Sequence, residues 1–114
     1  MDSREQRLAR TESLFREINE RVRQIAAKHG TDVHQYQFYC ECSNTDCTLR
    51  VELELAEYER VRTRGRRFLV APGHNLPLGE RIVEQAEGWW VIEKAGAAGE
   101  LAEELDPRSS REDL

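Results

Sequence analysis

Mostly apolar positions recur along the first quarter of the chain at alternating spacings of three and four. Leu8, Thr11, Phe15, Ile18, Val22, Ile25 and His29 form this series, which is the a/d seam of a helix. It predicts a helix over 3–29, opened by a Ser3/Gln6 capping box and stopped by Gly30. Leu14 and Ala26 widen the stripe, while Glu12–Arg16 and Glu17–Arg21 read as i,i+4 pairs on exposed faces. At 1.5 Å per residue such a helix is ~40 Å long and overhangs a small sheet. Its seam either crosses the sheet diagonally or meets another subunit.

After a turn at Thr31-Asp32 the period drops to two. A strand over 33–42 places His34, Tyr36, Phe38, Cys40 and Cys42 on one face, with Gln35, Gln37, Tyr39 and Glu41 opposite. In the next strand Cys47, Leu49, Val51, Leu53 and Leu55 alternate with polar residues. A short helix over 56–64 buries Tyr58 and Val61, and a strand over 66–71 carries Phe68 and Val70. A hairpin of 81–86 and 89–95 turns at Glu87-Gly88, and a terminal helix over 96–105 gathers Ala98, Leu101, Ala102 and Leu105 on one side. The expected architecture is α+β: a long N-terminal helix packed on a mostly antiparallel sheet of about five strands. Short helices follow strands 2 and 5. Residues 1–106 form a single domain, and the charged tail 107–114 is expected to be disordered.

Composition narrows the partners. Of 114 residues, 39% are hydrophobic and 34% charged, the balance of a globular domain with a well-solvated surface. No apolar run approaches the ~20 residues that cross a bilayer. No hydrophobic segment follows Met1-Asp2-Ser3-Arg4-Glu5, so we expect no secretory leader and a cytoplasmic protein. The net charge of −5 argues against general attraction to nucleic acid or anionic membrane.

All three cysteines, Cys40, Cys42 and Cys47, fall inside one expected hairpin tip. An odd count in a chain without a leader favours metal or redox chemistry over a disulfide framework. Strand residues two apart point the same way, so Cys40 and Cys42 reach one ion together, and the 43–46 turn brings Cys47 back to them. Zinc closes structural sites with Cys₄, Cys₃His or Cys₂His₂, which leaves one position to fill. His34 lies six residues from Cys40, ~20 Å along a strand, and His29 ends the first helix. His74 follows Pro72-Gly73 at a strand end, where glycine lets the backbone approach closely. The expected zinc ligands are therefore Cys40, Cys42, Cys47 and His74, with amides of the turn donating to the sulfurs. A redox or catalytic thiol set and simple packing at the hairpin tip are the alternatives.

Arg60, Arg62, Arg64, Arg66 and Arg67 follow one another with no acid between them. They suit an anion or acidic partner, or a solvated helix end balanced by the acidic strand beside it. Trp89 and Trp90 point to opposite faces of their strand, so at most one is comfortably buried; the other is shielded by the long helix or anchors a partner. A Cys–His pair oriented by Asn75 or Asp46 would suit thiol catalysis, but no substrate pocket or Gly-rich phosphate loop is readable.

From Phe38 onward the chain resembles a family of small bacterial proteins to which no activity is assigned. The resemblance rests on Phe38-x-Cys40-Glu41-Cys42 with Cys47, then Glu57-Tyr58-Glu59-x-Val61-Arg62 and Phe68-Leu69-Val70-x-Pro72-Gly73-His74. It continues through Glu80-Arg81-Ile82-Val83-Glu84, Val91-Ile92-Glu93-Lys94 and Asp106-Pro107-Arg108. Leu14-Phe15-Arg16-Glu17-x-Asn19-Glu20-Arg21 extends it more loosely into the first helix. The resemblance implies only that His74 arrives as part of a Pro-Gly-His unit. The resulting expectation is a non-catalytic, zinc-stapled interaction or regulatory module that binds a protein partner, with an oligomer possible through the first helix. A thiol enzyme or redox sensor built on the same cluster is the first alternative, and a nucleic-acid-associated zinc protein the second.

Overall fold

The long helix, α1 (Ser3–His29), runs across one side of the molecule. The computed structural model describes residues 2–29 and 35–108, the side chain of His29 excepted. The expected Gly30 stop, the Thr31-Asp32 turn, Val33 and His34 lie outside those residues. The helix starts one residue earlier in function than its sequence suggests: Asp2 Oδ1 accepts the Glu5 N–H at 2.7 Å. Asp2, not a Ser3/Gln6 box, caps the helix.

The face that α1 buries is also not the expected one. Ala9, Glu12, Ser13, Arg16, Asn19, Glu20 and Ala26 are buried. Within the a/d series Thr11 is buried, Leu8, Phe15, Ile18 and Val22 are half-buried, and Ile25 is 60% exposed. Leu14, expected to widen the seam, is 56% exposed. Glu12 and Arg16 are not an exposed pair. Glu12 accepts from Lys94 Nζ at 2.7 Å, and Arg16 donates to the carbonyls of Gly65 and Ala102 while its guanidinium lies 4.3 Å over the Phe68 ring. Hydropathy misplaced this face because the buried stripe is charged and finds its partners on distant elements.

The five strands are antiparallel, as expected, and divide into sheets of two and three. In the first sheet β1 (Gln35–Tyr39) pairs β2 (Arg50–Glu54), with Phe38 opposite Val51 and Tyr36 opposite Leu53. Cys40, Cys42 and Cys47 lie in the connection just beyond β1 rather than within it. Leu49 is exposed and Leu55 opens a helix, so the expected alternation holds only at Val51 and Leu53. The helix α2 (Leu55–Val61) begins in a Glu54/Glu57 capping box and stacks Tyr58 on Phe38, ring centroids 4.3 Å apart.

In the second sheet the order is β3 (Arg67–Val70), β5 (Trp89–Lys94), β4 (Glu80–Ala86). Phe68, Leu69 and Val70 are consecutive and fully buried, so both faces of β3 are covered. The final helix α3 (Gly96–Glu104) lies tight against the end of β5; a Cβ at Gly99 would sit 2.6 Å from the Lys94 carbonyl oxygen. Arg108, assigned to the tail by sequence, is instead tied to Glu20 at 2.9 Å and to Glu59 at 3.0 Å. Residues 109–114 lie outside the described part. Among the described residues no helix is long and apolar enough to cross a membrane.

Candidate metal centre

The segment leaving β1 decides the site. Cys40 continues the first ladder by one bond, its N–H reaching the Leu49 carbonyl at 3.0 Å. The chain then turns alongside the free edge of β3. The Glu41 N–H donates to Leu69 O at 2.7 Å, and the Ala71 N–H donates to Cys40 Sγ at 3.1 Å. Residues 43–46 reverse the chain, with Asn44 Oδ1 accepting the Asp46 N–H and Asn44 O accepting the Cys47 N–H, each at 3.0 Å. On the facing side, Ala71-Pro72-Gly73-His74 closes as a tight turn by a 3.0 Å bond from His74 N to Ala71 O. Gly73 takes φ +83° there, a conformation that glycine adopts without steric cost.

These two turns converge. The Sγ atoms of Cys40, Cys42 and Cys47 and a ring nitrogen of His74 all lie within 4.8 Å of one another. His74 Nδ1 is 3.6 Å from Cys40 Sγ and 3.7 Å from Cys47 Sγ. Cys40 and Cys42 are buried, while Cys47 and His74 are half-exposed. Every sulfur also receives a backbone N–H: Ala71 to Cys40, Asn44 to Cys42, and Leu49 to Cys47. Such bonds favour thiolate over thiol. A hydrogen bond from Cys40 pulls Cys42 down to about 5, and the same bond, with burial, pushes Cys40 up. Burial raises Cys47. Three crowded sulfurs sharing protons in this way, with His74 beside them, could hold a metal cation, whose charge would take the place of those protons.

No family model, curated protein or solved structure matches this chain.

Three site residues were missed by sequence. Glu41, between two cysteines, reads as outward-facing on a strand, yet it is fully buried. Its carboxylate accepts from Asn19 Nδ2, Tyr58 OH and Leu69 N, each at 2.8 Å. Burial raises its pKa, opposed by the Arg62 charge and by these donors. Asn19 also brackets Tyr39, accepting its N–H and donating to its carbonyl at 2.8 Å each. The one local signal was the place of Glu41 between two clustered cysteines.

The arginine cluster is dispersed. Arg60 pairs with Glu84, Arg66 with Glu103 and Arg67 with Glu93. Arg62 is buried rather than solvated, held between Glu20 and Asp106. Arg64 is exposed beside a hollow that Glu93, Glu103 and Asp106 line together with Arg66. Those acids compete with any anion. Trp89 is buried and Trp90 half-buried against the core, so neither is a free aromatic anchor.

Proposed function

We propose that this protein is a small zinc-stapled interaction module, non-catalytic, in which the metal joins the two sheets. The observation that carries this reading is the four-ligand cluster itself. A tetrahedral zinc with bonds of ~2.3 Å to sulfur and ~2.0–2.1 Å to nitrogen sets the two ligand atoms ~3.6 Å apart. The two nitrogen–sulfur separations here are 3.6 and 3.7 Å. Cys40, Cys42 and Cys47 come from the β1–β2 connection and His74 from the loop after β3, so one ion would close a bridge between sheets. Four protein ligands complete the shell and leave no position for a substrate, the pattern of structural rather than catalytic zinc. A thiol enzyme is less well supported, because Cys40 and Cys42 are 1% and 3% exposed. A nucleic-acid role is weakened by the carboxylates that already occupy the arginines.

The proposed partner is another protein, met on the outer face of α1, where Leu14 and Ile25 are the exposed apolar residues. A cytoplasmic setting, which keeps thiols reduced, fits the site. The test is zinc per chain by elemental analysis of the purified protein. One zinc is expected in the wild type, and Cys40→Ser, Cys42→Ser, Cys47→Ser and His74→Ala should each lower it. His34→Ala should leave it unchanged. Full occupancy in His74→Ala would falsify the Cys₃His set, and no zinc in the wild type would return the cysteines to redox chemistry.

A further inference from the structure

We infer that metal occupancy governs how firmly the C-terminal half of α1 is docked, through the Glu41–Asn19 bond. This rests on the zinc reading above and goes beyond it, because it gives the site a regulated output. The two halves of α1 are held by different parts of the molecule. The first half is tied to elements far from the cysteines: Glu12 to Lys94 on β5, and Arg16 to Gly65 and to Ala102 on α3. From Asn19 onward the partners are the hairpin, α2 with the Arg62 that follows it, and Arg108; Glu20 holds Arg62 at 3.0 Å and Arg108 at 2.9 Å. Asn19 holds Glu41 and both main-chain groups of Tyr39, Arg23 pairs with Glu59 at 2.6 Å, and Ala26 O accepts from Tyr36 at 3.4 Å.

Glu41 is the hinge of this arrangement. Its neighbours on both sides are ligands, so an ion bound by Cys40 and Cys42 fixes the backbone of the residue between them. That backbone aims a fully buried carboxylate at Asn19, Tyr58 and the Leu69 amide at once. Without the ion, four donor groups packed within 4.8 Å lose what holds them together, and the segment is free to shift. A shift of about 1 Å lengthens three 2.8 Å bonds beyond useful range. The apolar surface under this half of α1 is thin: Ala26 is buried, Val22 half-buried, and Ile25 mostly exposed. Polar contacts therefore carry much of its docking, and the one that reaches the cysteine segment, Asn19, depends on where Glu41 points. Coupling of this kind is reciprocal, so loosening Asn19 must also weaken metal binding.

Hydrogen exchange on the full zinc-loaded chain, with and without a chelator, reads this directly. Zinc removal should speed exchange in residues 20–28 by about tenfold or more, a typical coupling factor, with a smaller change in residues 9–16 and in β5. Asn19→Ala should still bind one zinc per chain but about tenfold more weakly, and should show fast exchange in residues 20–28 even when loaded. Arg23→Ala, which touches Glu59 and not the site, should keep wild-type zinc affinity. Equal responses in both halves of α1, or none in either, would overturn the inference while leaving the zinc site standing. Absence of zinc from the wild type would instead strike the reading on which it rests. If Asn19→Ala does not fold, the chelation arm on the wild type decides alone.

Discussion

A single buried carboxylate shows how closely residue chemistry is specified here. Glu41 receives three donors, and an ionised carboxylate is acceptor-only, which matches them all. In Glu41→Gln the amide turns at least one N–H toward another donor. We expect a loss of about 1–3 kcal/mol, the cost of an unsatisfied buried polar group, measured by denaturant unfolding of the zinc-loaded protein. A loss below about 0.5 kcal/mol, as at an ordinary surface site, would mean that the pocket accepts a neutral side chain. Glu12 makes a different prediction. Burial and the adjacent Glu80 push it from the ordinary 4.5 up to about 9, against the pull of Lys94. The folded protein thus holds a proton that the unfolded chain releases. The associated stability is complete below about pH 4.5 and is lost as pH rises towards about 9. Melting temperature should therefore fall between pH 6 and pH 9, and Glu12→Gln should flatten that slope. A wild-type curve already flat over this range would count against a protonated Glu12.

At the scale of the element, α1 departs from the usual expectation for a surface helix. Glu12, Arg16 and Glu20 are inside, while Leu14 and Ile25 are exposed. Leu14→Ser and Ile25→Ser should change stability by less than about 0.5 kcal/mol, as for exposed positions elsewhere. Arg16→Ala should cost about 2–4 kcal/mol, since it strips the buried Ala102 carbonyl and the half-buried Gly65 carbonyl of their donor and removes the group over Phe68. Unfolding curves of the three variants check the ordering. If the serine variants prove the costlier, the helix packs by its a/d seam after all. The same two exposed apolar residues should weaken partner binding when replaced, which separates a binding role from a folding one.

At the scale of the whole molecule, the two small sheets share few backbone bonds among the described residues. Apart from the Glu41 N–H to Leu69 O bond, their junction uses the Glu41 carboxyl on the Leu69 amide and the Cys40 sulfur on the Ala71 amide. Structural zinc contributes ~10–16 kcal/mol of apparent binding free energy in small modules, comparable to the ~5–15 kcal/mol total stability of a domain, and the zinc proposed across this junction would act on that scale. Chelation should therefore lower the melting temperature steeply, and stoichiometric zinc should restore it. A chelator that leaves the melting curve unmoved would remove the metal from any role in holding the sheets together.

The sequence by itself determined the elements that local pattern encodes. The Glu87-Gly88 turn set the β4–β5 hairpin, the period of two set the buried Val51 and Leu53, the heptad spacing set the existence of α1, and Pro72-Gly73 set the turn that presents His74. It also singled out Cys40, Cys42, Cys47 and His74 as candidate ligands, from cysteine spacing and a Pro-Gly-His turn, and the fold brings these four side chains together. Only the tertiary structure decided which face of α1 is inside. Glu12, Arg16, Asn19 and Glu20 carry the hydropathy of a solvated surface, and their burial depends on Lys94, Gly65, Ala102, Tyr39, Glu41 and Arg62. Each of those partners is remote in sequence. The same holds for Glu41 and Arg62: a buried charge is stable only beside a specific counterpart, and hydropathy along one chain segment contains no record of what another segment will place next to it.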